Sequence, residues 1–215
     1  MKLKPIVTAS LFLLALTLLA GVPQFQTAEA QAPQGKPVTI RGKISAVEKQ
    51  SLKVTTSAGE VLVKLPDDVR IGGIEAAQLS DITAGIYVGA TSVKQADGNL
   101  KALEIHIFPE SSRGTGEGHR PWDLQPGSTM TNANVDKVEQ VAVEKIQGQL
   151  LTLKYKDGEQ KIFVPPGTPI VKNVSGDRSL LKPGTGVYIA AVRGEDGTLT
   201  ATRIAAGIGG VMPPM

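Results

Sequence analysis

The 215-residue chain contains no cysteine, and only 4% of its residues are aromatic. The lack of cysteine excludes disulfide scaffolds, thiolate zinc sites, iron–sulfur clusters, cysteine nucleophiles and a lipid-modified N-terminal cysteine. A large excess of one charge is also lacking, since 23 basic and 20 acidic side chains leave a formal net charge of +3. Such a small charge indicates no particular class of partner. With 41% hydrophobic residues, the composition is that of a folded chain with one large domain or two small ones.

The only long apolar run lies at the N-terminus. Lys2 and Lys4 precede the apolar residues 6–22, and Ala28-Glu29-Ala30 has the small residues of a cleavage site. This order is typical of a secretory signal peptide. We therefore assign residues 1–30 to a cleaved signal peptide and predict a soluble periplasmic protein. The alternative is a retained membrane anchor, although the run is at the short end for crossing ~30 Å of hydrocarbon.

The rest of the chain matches itself at an offset of 99 residues. Gly59 aligns with Gly158 and Pro66 with Pro165, and residues 40–107 share 15 of 68 positions with residues 139–206 without a gap. The identities fall at turns and at apolar positions, where backbone geometry and packing restrict the residue type. The match indicates an internal duplication.

Within each copy, apolar and polar residues alternate between Asp-Gly turns, which is the pattern of antiparallel strands. In the first copy we predict five strands and one or two helical turns over residues 74–79; the strands are at about 38–48, 51–56, 61–65, 86–93 and 100–107. The predicted fold is all-β, with two tandem small five-stranded OB-like barrels that lean on each other. The barrels are assigned to residues 37–107 and 134–207, with a long ordered loop at 108–133 and a tail at 208–215. An SH3-like barrel or an open sandwich is the alternative.

The loop at residues 108–133 has no counterpart inside either copy. A connection of this length is usually functional or disordered, and the apolar Trp122 favours an ordered brace between the barrels. Arg113, His119 and Arg120 lie close together in this loop, among glycines. Arginine pairs and free backbone N–H groups bind carboxylates and phosphates. We assign ligand binding to Arg113, His119, Arg120 and Trp122, which would recognise a partner protein or a small anionic envelope component.

A divalent-metal site is the alternative assignment. Glu104 and His106 are two residues apart on a predicted strand, so their side chains share a face, and His119 is the only other histidine. These three residues would provide a mixed nitrogen and oxygen site for zinc or a similar ion, although their spacing matches no ligand signature.

Three other functions are excluded by the sequence. The scattered aromatic residues are not interleaved with a basic run, so nucleic-acid binding is not expected. Residues 114–118 lack the Gly-Lys-Ser/Thr of a nucleotide loop. Ser111 and Ser112 lie with His119 and Asp123 in one irregular stretch, which lacks the rigid orientation of a catalytic triad. We therefore predict no catalytic residue, no enzymatic activity and no cofactor.

The segments FPESSRGTGEGHRPWDL at 108–124 and STMTNA at 128–133 resemble those of an uncharacterised family of exported bacterial proteins. The flanking repeats resemble small OB-like domains of unknown function. Some members of this type are labelled metal ABC transporter permease, but one removable apolar segment does not form a multi-span permease. The resemblance implies no catalytic residues. Two rival hypotheses remain beside the binding protein: a metal-binding periplasmic accessory protein and a purely structural envelope protein.

Overall fold

The computed structural model describes residues 35–143 and 146–214, and within these ranges it is all-β. This confirms the predicted fold class. The strands are β1 (Lys36–Val47), β2 (Ser51–Thr56), β3 (Gly59–Lys64), β4 (Arg70–Ala76), β5 (Tyr87–Lys94), β6 (Leu100–Ile107), β7 (Gly118–Pro121), β8 (Ser128–Val143), β9 (Ile146–Tyr155), β10 (Gly158–Val164), β11 (Ile170–Ser175), β12 (Gly186–Arg193) and β13 (Leu199–Gly207). Short 3₁₀ helices lie at Leu79–Asp81, Glu110–Ser112 and Arg178–Leu180. No helix in the described part is long and apolar enough to cross a membrane. The signal peptide assigned to residues 1–30 lies outside the described residues.

The strands pair into two closed rings of five. The first ring runs β1–β2–β3–β13–β12 and returns to β1, and the second runs β8–β9–β10–β6–β5 and returns to β8. In each ring one parallel pair completes the circle, β3 with β13 and β10 with β6. Closing a sheet on itself removes the exposed edges that would otherwise pair with other chains.

Each ring takes strands from both halves of the chain. The first ring combines β1, β2 and β3 with β12 and β13, and the second combines β5 and β6 with β8, β9 and β10. This corrects the expectation that residues 37–107 and 134–207 each close into their own barrel. The physical reason lies in β4 and β11, which pair antiparallel with each other. Each of these strands also pairs in parallel with a strand of a ring, β4 with β13 and β11 with β6, so the chain crosses from one ring to the other.

The helical turns expected over residues 74–79 are replaced mainly by a strand. Residues up to Ala76 belong to β4, and the 3₁₀ helix begins only at Leu79. The neighbouring Gly72 and Gly73 disfavour a helix. A Cβ on Gly73 would lie 2.7 Å from Ile208 Cδ1 and 2.8 Å from Val174 Cγ2, so glycine permits the close packing of the extended segment.

Three apolar clusters hold the described residues together. The first ring encloses one cluster, which includes Ile44, Leu52, Val63, Ile189 and Ile204. The second ring encloses another, which includes Val88, Ile105, Val135, Leu151 and Ile162. A third cluster joins the rings and consists of Ile74, Met130, Val171, Tyr188 and Ala205, with Trp122 packed against it.

The hairpin β8–β9 is eight residues longer than the corresponding hairpin β1–β2. Lys43 pairs with Thr55 in the first ring, and Asn134 pairs with Lys154 in the second. The offset between the two hairpins is therefore 99 residues for their second strands (154 minus 55) but 91 residues for their first strands (134 minus 43). This corrects the gapless match, because the extra residues lengthen the hairpin β8–β9 beyond the ring. The second ring therefore has a projection that the first ring lacks.

Candidate functional site

The segment between the copies folds as a hairpin against the second ring. Strand β7 pairs antiparallel with β8, with Arg120 opposite Met130 and Gly118 opposite Asn132. The backbone N–H of Trp122 donates to Ser128 O over 2.9 Å. The predicted loop 108–133 is thus ordered, but its last residues already belong to β8, which begins at Ser128.

Arg113 connects the segment before β7 to Asn134 of the second ring and to Gly85, which lies just before β5, through side-chain hydrogen bonds. Its Nε and Nη2 donate to the two carboxylate oxygens of Glu110 over 2.6 Å each, and Nη2 also donates to Gly85 O over 2.9 Å. A further hydrogen bond goes from its Nη1 to Asn134 Oδ1. The bond from Arg113 lowers the pKa of Glu110. With its donors engaged in this way, Arg113 positions the hairpin and does not line the cavity described below.

His119 and Arg120 are neighbours on β7, so their side chains point to opposite faces of the strand. His119 is exposed, and its Nδ1 lies 2.8 Å from Thr131 Oγ1. Partial loss of water around the imidazole lowers the pKa of His119. Arg120 is half-buried, and its Nη1 donates to Gly116 O over 2.7 Å. The four residues assigned to ligand binding therefore separate into an outward-facing His119, a bracing Arg113, and the pair Arg120 and Trp122.

Arg120 and Trp122 face each other. The guanidinium carbon of Arg120 lies 5.6 Å from the centre of the Trp122 ring, a distance at which cation–π attraction operates. Trp122 is half-buried against the third cluster. Next to it, Asp123 Oδ1 accepts from Arg41 Nη2 of β1 over 2.9 Å, and Arg41 stacks on Tyr188 at 5.2 Å. The hairpin is in this way attached to the first ring as well as to the second.

A cavity of about 130 Å³ lies beneath the hairpin, and we call it the insert cavity. Its lining combines residues of the hairpin, of the second ring and of β13, namely Gly89, His106, Phe108, Thr115, Gly116, Arg120, Trp122, Met130, Asn132 and Arg203. Three buried polar atoms of these residues have no hydrogen-bond partner among residues 35–143 and 146–214: His106 Nε2, Trp122 Nε1 and Asn132 Oδ1. Buried polar atoms are nearly always paired, so three unpaired ones around one cavity indicate a place for a polar guest.

Glu104 and His106 are fully buried on β6, on the face predicted from their spacing. Glu104 Oε1 lies 3.7 Å from His106 Nε2 and accepts a hydrogen bond from Thr91 Oγ1 over 2.8 Å. His119 is exposed on β7. Within the described residues, no group of three His, Cys, Asp or Glu side chains is placed to hold a metal ion. The predicted ligands Glu104, His106 and His119 therefore do not come together as one metal site.

Sequence reasoning missed Asn132 and Arg203, which line the insert cavity. Asn132 lies opposite Gly89 on the neighbouring strand β5, and a Cβ on Gly89 would stand 2.8 Å from Asn132 Oδ1. Arg203 is exposed on β13, close to His106 only because strands of the two rings meet there. The sequence match contained one indication of Arg203: at the offset of 99 residues, Arg203 stands where the first half of the chain has Glu104.

A family model for a domain of unknown function, DUF5666, matches residues 142–205. The matched part begins at the end of β8 and ends in β13, so it contains strands of both rings. No curated protein and no solved structure matches the chain at a significant level. The match is consistent with the resemblance to an uncharacterised family, and no activity comes with it.

Proposed function

We infer that this protein is an exported, non-enzymatic binding protein that takes a small anion into the insert cavity. The observation that carries this proposal is that three residues lining this cavity each have a buried polar atom without a hydrogen-bond partner among the described residues. Leaving a buried polar atom unpaired costs ~1–3 kcal/mol. A guest that pairs with these atoms removes that cost, which favours binding.

The charges at the cavity favour an anion. Arg120 and Arg203 line it, whereas no aspartate or glutamate does. Neither arginine forms an ion pair among the described residues. The indole N–H of Trp122 is only a donor, and Asn132 Oδ1 is only an acceptor. The preferred guest therefore carries a carboxylate or phosphate for the donors and a hydroxyl group for Asn132.

The volume limits the size of the guest. About 130 Å³ is the space of roughly four waters, at ~30 Å³ each. Anions such as acetate, glycolate and phosphate are of this size. Each five-stranded ring is proposed to be an OB-like barrel, derived from a duplicated unit whose last two strands are exchanged.

Calorimetric titration of the mature chain with acetate, glycolate and phosphate tests this function. We expect glycolate to bind more tightly than acetate, because only glycolate donates to Asn132 Oδ1. Arg203→Ala should weaken binding by about tenfold, the value of one charge-assisted hydrogen bond. Arg193→Ala is the matched control, since Arg193 is also exposed on a strand of the first ring but does not line the cavity. Absence of binding by all three anions, or equal loss in both variants, would contradict the proposal. A zinc titration in parallel tests the metal-binding alternative.

A further inference from the structure

A second cavity of about 490 Å³ lies beside the extended hairpin of the second ring, and we call it the hairpin cavity. It shares no lining residue with the insert cavity. Its walls are formed by the extended part of β8 and β9, the turn between β5 and β6, and the strands β6 and β10. The extension is the eight residues that the first ring lacks, so ring closure does not require it.

The walls of the hairpin cavity are largely apolar. Besides Ala96, six of the lining side chains are larger and aliphatic or aromatic: Leu100, Val141, Val143, Ile146, Leu150 and Phe163. Ile146 is 46% exposed, which is unusual for a large aliphatic side chain in this protein. A Cβ on Gly148 would lie 2.6 Å from Phe163 Cε2, so glycine at this position allows the Phe163 ring to lie against the hairpin. A concave apolar surface of this volume is typical of small-molecule sites.

The polar part of the hairpin cavity is mainly cationic. Lys101 and Lys161 line it, and neither forms an ion pair within the described part of the chain. Lys101 lies opposite Phe163 in the parallel pair that closes the second ring, and Lys161 is two residues before Phe163 on the same strand. Asp97 also lines the cavity, but Asn99 already donates to both of its carboxylate oxygens, over 2.9 and 2.8 Å. These hydrogen bonds lower the pKa of Asp97, so it stays ionised. The lining therefore carries two ammonium groups and one carboxylate, a net charge of +1, and the ammonium groups are the charged donors beside the apolar wall.

We propose that the hairpin cavity binds a small amphipathic molecule with an apolar chain and one anionic head group, of the fatty-acid class. The chain lies against the wall formed by Ile146, Leu150 and Phe163, and the carboxylate meets Lys101 and Lys161. The longer hairpin adapts the second ring for this ligand. This site is independent of the insert cavity.

The test is calorimetric titration of the mature chain with decanoate, with three comparison ligands. Decanol has a similar chain without the charge, decyltrimethylammonium reverses the charge, and acetate keeps the head group alone. We expect decanoate to bind more tightly than decanol and decyltrimethylammonium. Arg203→Ala should leave decanoate binding unchanged, which separates this site from the insert cavity.

Two variants with matched controls locate the site. Ile146→Ser should weaken decanoate binding by about three- to tenfold, since part of an isoleucine side chain loses its apolar contact. Leu62→Ser is its control, because Leu62 is 55% exposed on β3 and lines neither cavity. Lys161→Ala should weaken decanoate binding by about two- to fivefold and leave decanol binding unchanged. Lys182→Ala is its control, because Lys182 is also exposed and lines neither cavity. Absence of decanoate binding, equal binding of decyltrimethylammonium, or equal losses in variants and controls would overturn the proposal.

Discussion

A fragment that carries only the first half of the chain is expected not to fold by itself. The cut is made after Ser112, between β6 and β7, which gives fragments 35–112 and 113–214. The first fragment retains β1, β2 and β3 but lacks β12 and β13, the strands that complete the first ring. It also retains β5 and β6 without the three strands that complete the second ring.

The stabilisation that the first fragment lacks comes from the core of the first ring. Five of its large apolar side chains come from the second half of the chain: Leu181, Val187, Ile189, Leu199 and Ile204. Burying one such side chain contributes ~1.5–3 kcal/mol, so together they contribute about 8–15 kcal/mol. That amount equals the entire stability of a typical domain, ~5–15 kcal/mol. The fragment is therefore expected to be unfolded.

Circular dichroism during urea titration measures directly whether each fragment is folded. Each fragment alone should show no cooperative transition, and an equimolar mixture should recover one. The chain has a single tryptophan, Trp122, so its fluorescence reports the recovery of the third cluster in the mixture. A monomeric fragment 35–112 that unfolds cooperatively would refute the reasoning, since it would mean that the first repeat closes on itself.

Three further predictions concern the hairpin. Trp122→Ala should lower the free energy of unfolding by about 2–3 kcal/mol, less than the ~3–5 kcal/mol for a fully buried tryptophan, and should weaken anion binding. Arg120→Ala should weaken anion binding and cost about 1 kcal/mol of stability, because one hydrogen bond and one cation–π contact are lost; equal losses of stability in the two variants would contradict this ranking. Because partial burial lowers the pKa of His119, the unfolded state takes up a proton more readily, and stability should fall slightly as the pH drops below ~6.5. The difference between the urea midpoints at pH 7.5 and pH 5.5 measures this fall in stability. Both pH values lie above the range in which the carboxylates titrate. His119→Gln should reduce the difference, and an unchanged difference would remove His119 as the cause.

The positions of the strands were predictable because side chains in a strand point alternately to opposite faces. The five strands predicted in the first copy lie within two residues of β1, β2, β3, β5 and β6 at each end. Part of the candidate site was predictable too. Arg120 and Trp122 stood out because they lie in a segment that the repeat does not need. Asn132 and Arg203 did not stand out, since each looks like an ordinary polar residue of a strand.

The sequence by itself determined the strands β1, β2, β3, β5 and β6 and which segment is extra, because these depend on local periodicity and turn chemistry. It did not determine β4 or β7, which form only where a neighbouring strand pairs with them. Only the tertiary structure decided which strands pair. The hairpins β5–β6 and β12–β13 are similar in length and pattern, so local sequence does not determine which of them pairs with β1, β2 and β3. The choice depends on whether the connecting segment folds back or stays extended. Gly72, Gly73 and the pairing of β4 with β11 keep it extended, and the exchange of strands brings Arg203 to the cavity beneath Trp122.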